Sequence, residues 1–207
     1  SGTVAFNDVD YAGGIDFGSS STINGTATVN AGGFVNTNAP TYGNSSTLLY
    51  NVDNTTDGAY GRNAEWTPGA TSGAGYPNNV QLSNNTVLEL GANGNEGNTF
   101  ECAGDFTVDA GSSLDMENPA AMTAALTVKG NFLNNGTVTL SSSVGGDLKL
   151  EGNFDDNGTF NANGRAVFFE GGGNQNINST SDPLEIDELG IWVLSIWIRL
   201  PRVPPTS

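Results

Sequence analysis

A repeated seven-residue pattern constrains the fold of this chain more than any other feature of its sequence. Three segments share a central glycine, apolar residues four and two positions before it, and a phenylalanine two positions after it. The segments are residues 100–106, 126–132 and 148–154. Because side chains alternate between the two faces of a β-strand, these apolar positions all fall on one face. The glycines are 26 and 22 residues apart, which is a typical length for one turn of a β-solenoid.

A second recurring element is an Asn-Gly-Thr turn followed by another short alternating strand. It occurs at residues 24–29, 135–140 and 157–162. Asn and Gly tolerate the positive φ of tight turns, so this pair bends the chain between strands. We expect Thr or Asn at the outward positions after each turn. The inward positions are expected to be Val138 and Leu140, Phe160 and Ala162, and Ala27 and Val29.

These repeats favour a parallel β-solenoid over an antiparallel β-sandwich. Asn-Gly is also a strong short-range signal for a hairpin, so the sandwich stays open as the alternative. Stacked coils bring equivalent residues into columns, which explains why the same residue types recur at a fixed spacing, whereas a sandwich gives no such reason. The prediction is an all-β, right-handed parallel β-helix with about 20–26 residues per coil.

The pattern also divides the chain into regions. We assign residues 1–189 to the solenoid domain, with an irregular excursion loop at 51–79, and residues 190–207 to an atypical tail. The tail holds two of the three Trp and two of the six basic residues, but no Asn, Asp or Glu. It fits an edge strand, an adaptation to a neighbouring domain, or a frame-shifted or truncated end, and we favour the frame shift. Without an initiator Met or a charged-then-apolar leader, the chain is expected to be a mature protein or a segment of a longer one.

The charge and the missing residue types exclude several functions. Six Lys and Arg against 22 Asp and Glu give a net charge of −16, which disfavours nucleic acids and anionic lipid surfaces as partners. The chain has no His and one Cys, which excludes His-dependent triads, His metal ligands and an internal disulfide. No apolar run approaches the roughly 20 residues of a membrane span. Cys102 takes the position of Val128 and Leu150 in the next two repeats, which predicts a core residue rather than a nucleophile.

The excursion loop contains the best candidates for ligand binding. They are Tyr60, Arg62, Glu65, Trp66 and Tyr76. Aromatic faces stack on sugar rings, and Arg and Glu side chains form hydrogen bonds with hydroxyl groups. The alternative is that Trp66 and Tyr76 pin the loop against the solenoid.

Carboxylates are the only abundant groups with catalytic potential. Polysaccharide-cleaving enzymes use paired Asp and Glu residues, sometimes with Ca²⁺. Asp155 and Asp156 are weak Ca²⁺ candidates, but they replace Leu133 and Asn134 beside a turn, which predicts a solvated corner. No calcium-loop motif occurs. We therefore expect no catalytic residues, no dedicated metal site and no cofactor apart from a possible Ca²⁺ ion.

Four strings resemble the β-helical repeat regions of large secreted or cell-surface, adhesin-like proteins of Bacteroidetes-type bacteria. They are residues 126–132, 135–140, 65–66 and 72–77. The resemblance covers about residues 1–188 and implies an extracellular location and a structural or adhesive, non-catalytic function. A carbohydrate-binding or polysaccharide-degrading β-helix protein is the alternative. The implied partners are an extracellular polysaccharide or a host or cell surface, with further domains flanking the segment.

Overall fold

The computed structural model describes residues 3–180, 188–191 and 196–199. Within them the chain forms an all-β parallel β-solenoid of about eight turns, with about 22 residues per coil. Every pairing between its strands is parallel. The predicted solenoid is therefore confirmed and the sandwich is excluded, while the right-handed sense of the coil stays a prediction.

The strands are short segments of two to five residues separated by turns. The first coils contain β1 (Val4–Phe6), β2 (Val9–Tyr11), β3 (Gly14–Ile15), β4 (Ser21–Ile23), β5 (Thr26–Asn30), β6 (Phe34–Val35), β7 (Thr41–Tyr42), β8 (Thr47–Asn51), the helical turn α1 (Asn54–Asp57) and β9 (Tyr60–Gly61). The middle coils contain β10 (Asn79–Leu82), β11 (Val87–Glu89), a 3₁₀ turn (Ala92–Gly94), β12 (Phe100–Cys102), β13 (Phe106–Val108), β14 (Ser113–Asp115), β15 (Leu126–Val128), β16 (Phe132–Asn134) and β17 (Thr137–Thr139). The last coils contain β18 (Leu148–Leu150), β19 (Phe154–Asp156), β20 (Thr159–Asn161), β21 (Ala166–Phe169), β22 (Gln175–Ser179), β23 (Glu188–Ile191) and β24 (Ile196–Arg199).

These strands stack into three walls, which we name by their position in each coil. The central wall is one nine-stranded sheet in the order β2-β5-β8-β10-β13-β16-β19-β22-β24. The entry wall contains the strands that precede it in each coil and consists of two sheets, β1-β4-β7 and β12-β15-β18-β21-β23. The exit wall contains the strands that follow it, in the sheets β3-β6 and β9-β11-β14-β17-β20.

The core is built from columns of equivalent inward residues. Phe106, Phe132 and Phe154 are fully buried, and their rings stack with centroids 5.4 and 5.8 Å apart and interplanar angles of 12°. Cys102 is fully buried beside Val128 of the next coil, and burial raises the pKa of its thiol. The predicted inward phase and the core position of Cys102 are therefore confirmed.

The motif glycine is required because neighbouring coils nearly touch at the corner before the central wall. A Cβ added to Gly130 would collide with the backbone of Gly104, and one added to Gly152 would collide with the backbone of Gly130. Close backbone approach, rather than an unusual φ, therefore fixes glycine at this point of the repeat.

The structure corrects one of the equivalences predicted for the Asn-Gly turns. Val138 and Phe160 pair in the exit wall as expected, but Ala27 lies in the central wall. By register, Gly25 stands at the corner before the central wall, where Gly130 stands in a later coil. The backbones of neighbouring coils come close together both at the corner before the central wall and at the corner before the exit wall, so the same turn residues occur at either one. The local sequence therefore does not show to which corner a given turn belongs.

The residue after the motif glycine belongs to a ladder that runs along the solenoid axis. We call Asn79, Asp105, Asn131, Asn153 and Asn176 the Asx ladder. Its first two links join the Asn79 side-chain oxygen to the Asp105 N–H at 2.9 Å, and Asp105 Oδ1 to the Asn131 N–H at 2.7 Å. The next two join Asn131 Oδ1 to the Asn153 N–H at 3.0 Å, and Asn153 Oδ1 to the Asn176 N–H at 2.8 Å. This ladder accounts for part of the 27 Asn in the chain.

The strand ladders continue into the C-terminal tail. β23 pairs with β21 and β24 pairs with β22, both in parallel. The tail assigned to 190–207 thus contributes a strand to the central wall. Residues 192–195 and 200–207 lie outside the described residues, and the frame-shift hypothesis stays a prediction.

Candidate functional site

Within the described part of the chain the entry wall is interrupted once, and part of the predicted excursion loop closes the interruption. β7 is the last strand of its first sheet and β12 is the first strand of its second sheet. Between them, residues 62–78, which we call the gap loop, fold back on themselves. Thr67 N donates to Gly75 O at 2.8 Å, and Gly75 N donates to Pro40 O at 2.9 Å. The earlier part of the 51–79 segment is more regular, since β9 pairs with β11 in the exit wall.

Trp66 fills the interior at the interruption. Its side chain is fully buried, and its ring centroid lies 5.5 Å from that of Phe100 and 6.1 Å from that of Phe106. Its Nε1 donates to Glu101 O at 3.0 Å. The ring therefore offers no exposed face on which a sugar could stack, which supports the alternative that Trp66 pins the loop.

Arg62 is buried in a column that is otherwise apolar. By register it stands in the inward column of Leu90. Its guanidinium carbon lies 4.1 Å from the ring centroid of Phe100, and its Nη1 donates to the carbonyls of Asn63 and Trp66, both at 3.0 Å. Burial lowers the pKa of the guanidinium, although an arginine stays charged in proteins. Arg62 thus organises the backbone of the gap loop from inside.

Glu65 is fully buried among tyrosine hydroxyls. Its Oε1 accepts hydrogen bonds from Asn63 N at 2.7 Å, Tyr60 OH at 3.2 Å and Tyr50 OH at 3.4 Å. Its backbone carbonyl accepts a hydrogen bond from Tyr42 OH at 2.9 Å. Burial raises the pKa of the Glu65 carboxyl, while hydrogen bonds to its oxygens oppose that rise. The Glu65 carboxyl is therefore a buried acidic group that solvent does not reach.

We call these residues together the buried polar cluster. Its buried members are Tyr11, Tyr42, Tyr50, Arg62 and Glu65, and Tyr60 lies partly buried beside them. Sequence reasoning missed three of its tyrosines. A signal existed, since Tyr50 and Tyr11 stand in inward positions, two residues after Leu48 and Val9.

Tyr76 shares Glu101 as a hydrogen-bond partner with Trp66, but it contacts the Glu101 side chain rather than the backbone carbonyl. It is partly exposed on the outside of the entry wall, where its OH donates to Glu101 Oε1 at 2.8 Å. The same carboxylate lies 3.4 Å from Lys129 Nζ, and Lys129 also lies 3.3 Å from Glu151. Tyr76 is thus the start of an outer ionic network that links successive coils.

Asp155 and Asp156 do not share a face of their strand. Asp156 is fully buried, where Asn134 Nδ2 donates to its Oδ1 at 2.7 Å and Ser179 Oγ to its Oδ2 at 3.4 Å. Asp155 lies on the outer face, where Asn178 Nδ2 donates to its Oδ1 at 2.6 Å. The expectation of a solvated corner is therefore wrong for Asp156. Consecutive strand residues point in opposite directions, so the two carboxylates do not converge on one ion.

A cleft of about 320 Å³ lies beside the gap loop and was not anticipated. Hydroxyl and amide side chains line it, including Ser19, Thr37, Asn38, Thr41 and Thr67. Asn38 is held in place at its edge, since its Nδ2 donates to Asp16 Oδ1 at 2.8 Å. No sequence signal marks such a site because Ser and Thr are frequent on every outer face of this chain.

Across the described residues, no three Asp, Glu or Cys side chains come together in a way that could hold a metal ion. The same part of the chain contains no helix with the length and apolar character needed to cross a bilayer. Arg62, Glu65 and Trp66 are thus buried in the interior, whereas the cleft is a polar recess that is open to solvent.

No family model, no curated protein and no solved structure matches this chain.

Proposed function

We propose that the chain is a structural and adhesive repeat segment, a rigid acidic shaft without catalytic activity. The observation that carries this proposal is the axial continuity of its polar groups. The Asx ladder joins successive coils through side chains in addition to the backbone pairing of the walls. In a solenoid each coil is stabilised by its neighbours, so these links stiffen the stack along its length.

The burial of the side chains that could bind or react with a substrate supports the same proposal. Arg62, Glu65 and Trp66 are buried, and Asp156 is held within the central wall. Side chains that are enclosed in this way maintain the interior rather than meet a substrate. The net charge of −16 favours solubility and keeps neighbouring shafts apart.

We further propose that the segment belongs to an exported bacterial protein and lies on the cell surface or outside the cell. Its supports are the resemblance to adhesin-like β-helical repeats and an acidic composition with one buried cysteine. Its partners would be an extracellular polysaccharide or a host or cell surface, with further domains on either side.

Deletion of one coil tests the shaft. Phe132 pairs with Phe154, 22 residues later, and the strands of the other two walls have the same offset. Removing residues 132–153 should therefore leave a folded solenoid, shorter by about 4.8 Å, that still adheres to polysaccharide-coated or cell-coated beads. A matched deletion of half a coil, residues 132–142, should disrupt folding by circular dichroism. Loss of adhesion in a folded whole-coil deletion would contradict the proposal, as would release of oligosaccharides in a polysaccharide depolymerisation screen.

The hydroxyl-lined cleft favours carbohydrate binding as a second candidate function. Its volume of about 320 Å³ lies at the small end of ordinary ligand sites, and its side chains suit sugar hydroxyls. A glycan array with the wild-type chain, Asn38→Leu and the exposed control Ser45→Ala tests it. Binding that is lost only in Asn38→Leu supports the cleft, and absence of binding by the wild type eliminates this candidate.

A further inference from the structure

The buried polar cluster contains most of the enclosed polar atoms that have no partner in the protein. Within the described residues, six buried side-chain nitrogen and oxygen atoms lack a hydrogen-bond partner. Four of them belong to the cluster, namely Tyr11 OH, Arg62 Nε, Arg62 Nη2 and Glu65 Oε2. Buried polar atoms in folded proteins are almost always paired with protein groups or ordered water. Their concentration in one cluster therefore indicates a site for a polar occupant.

Arg62 has other contacts that account for its position. Its guanidinium carbon lies 4.1 Å from the ring centroid of Phe100, and its Nη1 donates to two carbonyls. A cation over an aromatic face is attracted by the ring. The side chains of Tyr11 and Glu65 are also buried, with 6% and 0% of their surface exposed. The unpaired atoms that need an explanation are thus Tyr11 OH and Glu65 Oε2.

Tyr11 differs from the other tyrosines that surround Glu65. Three hydroxyls lie within hydrogen-bond distance of oxygen atoms of Glu65, those of Tyr42, Tyr50 and Tyr60. The Tyr11 hydroxyl has no such acceptor within the part of the chain that the structure describes. Burial raises the pKa of this hydroxyl, and repulsion by neighbouring acidic groups, Glu65 among them, adds to the rise. Tyr11 OH and Glu65 Oε2 are therefore neighbours that do not bond to each other.

The chemistry of the two oxygens identifies what fits between them. An ionised carboxylate only accepts hydrogen bonds, whereas a tyrosine hydroxyl both donates and accepts. A water molecule accepts from Tyr11 OH and donates to Glu65 Oε2, and it can reverse these roles when Glu65 is protonated.

Ions fit this position less well than water does. The carboxylate repels a bound anion. Calcium takes about six to eight oxygen ligands, and the described residues contain no group of three Asp, Glu or Cys side chains that could hold a metal ion. Water is thus the occupant that matches both oxygens.

We propose that one enclosed water molecule bridges Tyr11 OH and Glu65 Oε2 in the interior beside the gap loop. Buried waters typically make about three hydrogen bonds, and a hydroxyl oxygen of Tyr42, Tyr50 or Tyr60 supplies the third. This water connects β2 in the first coil to the gap loop. It is sealed from bulk solvent, so it exchanges far more slowly than a surface water.

Tyr11→Phe distinguishes a bridged hydroxyl from an unpaired one by the sign of its effect. If water bridges the hydroxyl, the substitution removes a hydrogen bond, and the urea midpoint should fall. If the hydroxyl were unpaired, its removal would relieve a buried polar atom, and the midpoint would rise. Tyr42→Phe removes the direct hydrogen bond to Glu65 O and is the reference for such a loss. A midpoint that is unchanged or higher in Tyr11→Phe overturns the proposal.

Oxygen-17 magnetic relaxation dispersion of water, measured on the full 207-residue chain, counts the water molecules that stay bound inside it. Tyr11→Phe should contain one long-lived water fewer than wild type. Tyr76→Phe removes a hydroxyl from the outside of the entry wall and should match wild type. Circular dichroism confirms that each variant is folded. Equal counts in wild type and Tyr11→Phe contradict the bridge.

A crystal structure of the wild type examines the same position without a substitution, so it decides the question even if Tyr11→Phe does not fold. Crystals grown with a rubidium salt should show one water peak about 2.5–3.0 Å from both oxygens, without anomalous signal. A direct hydrogen bond between Tyr11 OH and Glu65 Oε2, no peak between them, or an anomalous rubidium peak at that position overturns the proposal.

Discussion

The regular coils at residues 100–180 and the gap loop at residues 62–78 fill the same interior by different means. In the regular coils each inward position repeats a residue type, as Phe106, Phe132 and Phe154 do. At the gap loop the entry wall has no strand between β7 and β12, and the interior there contains Trp66, Arg62 and Glu65 in place of repeated residue types. In the regular coils, repeated residue types therefore set the register of the solenoid. At the gap loop, a set of side chains that occurs only once fills the core where the wall is interrupted.

The two regions also place their polar groups differently. The Asx ladder of the regular coils lies at a corner, where water reaches the side chains. The gap loop instead encloses Arg62 and Glu65. Breaking the contacts of a buried charged group costs more than breaking an exposed one, so the interruption is where single substitutions should have their largest effects.

The largest effect is expected from Trp66→Ala. It removes a fully buried ring and the hydrogen bond from Nε1 to Glu101 O, and large-to-small core changes of this kind cost about 3–5 kcal/mol. In the regular coils, Phe132→Leu removes a smaller volume from the core and should cost less, because the cost rises with the volume of the cavity left behind. Urea unfolding followed by far-UV circular dichroism measures both. Equal losses of unfolding free energy would show that the gap loop contributes no more to stability than a regular coil.

A smaller, pH-dependent effect is expected from Glu65→Gln. Because burial raises the pKa of the folded-state carboxyl, the protonated form is favoured by folding. The stability this provides is complete below the unfolded-state pKa and is lost as pH rises through the folded-state pKa. The variant is neutral throughout, so its stability relative to wild type should increase as pH rises, by about 1.4 kcal/mol for each unit by which folding raises the pKa of Glu65.

Urea midpoints between pH 4 and pH 9 measure this difference. The control is Asp57→Asn, which removes an exposed carboxylate from α1. If the urea midpoints of wild type and Glu65→Gln changed with pH in parallel, the conclusion that burial raises the pKa of Glu65 would be wrong.

Breaking one link of the Asx ladder should cost about 1 kcal/mol. Asp105→Ala removes the oxygen that accepts the Asn131 backbone N–H and lies 3.2 Å from Asn131 Nδ2, and one net hydrogen bond contributes about 0.5–1.5 kcal/mol. Asp105→Asn keeps the acceptor and should be close to wild type in the same unfolding experiment. If the two variants lose stability equally, the ladder bond contributes nothing and only the loss of charge matters.

The smallest effect is expected from Lys129→Met on the outer face of the entry wall. Lys129 lies 3.4 Å from Glu101 and 3.3 Å from Glu151, and more than a third of its side chain is exposed. Exposed ion pairs contribute about 0–1 kcal/mol. The difference in the free energy of unfolding should fall further in 1 M NaCl, and a loss above that of Asp105→Ala would reverse the order expected for these two variants of the regular coils.

The features that were predictable from sequence are those that repeat. Period-2 alternation and the spacing of Gly104, Gly130 and Gly152 indicated the coil, its inward face and the core position of Cys102. The buried polar cluster was not predictable as a core element, because Arg62 is a charged residue in an inward column that is otherwise apolar and Glu65 lies in the gap loop, outside any repeat.

Other misses have equally physical causes. The turn at residues 24–29 was assigned to the exit-wall corner because both corners use the same residues. Asp156 was expected in solvent because its partners Asn134 and Ser179 lie 22 and 23 residues away along the chain. Local sequence does not show that the three side chains meet within one column.

The Asx ladder has a direction, and that direction bears on how the protein forms. In every link a side-chain oxygen of the earlier coil accepts an N–H of the later coil, from Asn79 to Asn176. A completed coil thus presents ready acceptors to the segment that follows it in the chain. A polypeptide that emerges with its N-terminus first, from a ribosome or through an export channel, can therefore be laid down coil by coil on a growing template, with no need for the whole chain to be released before ordering begins.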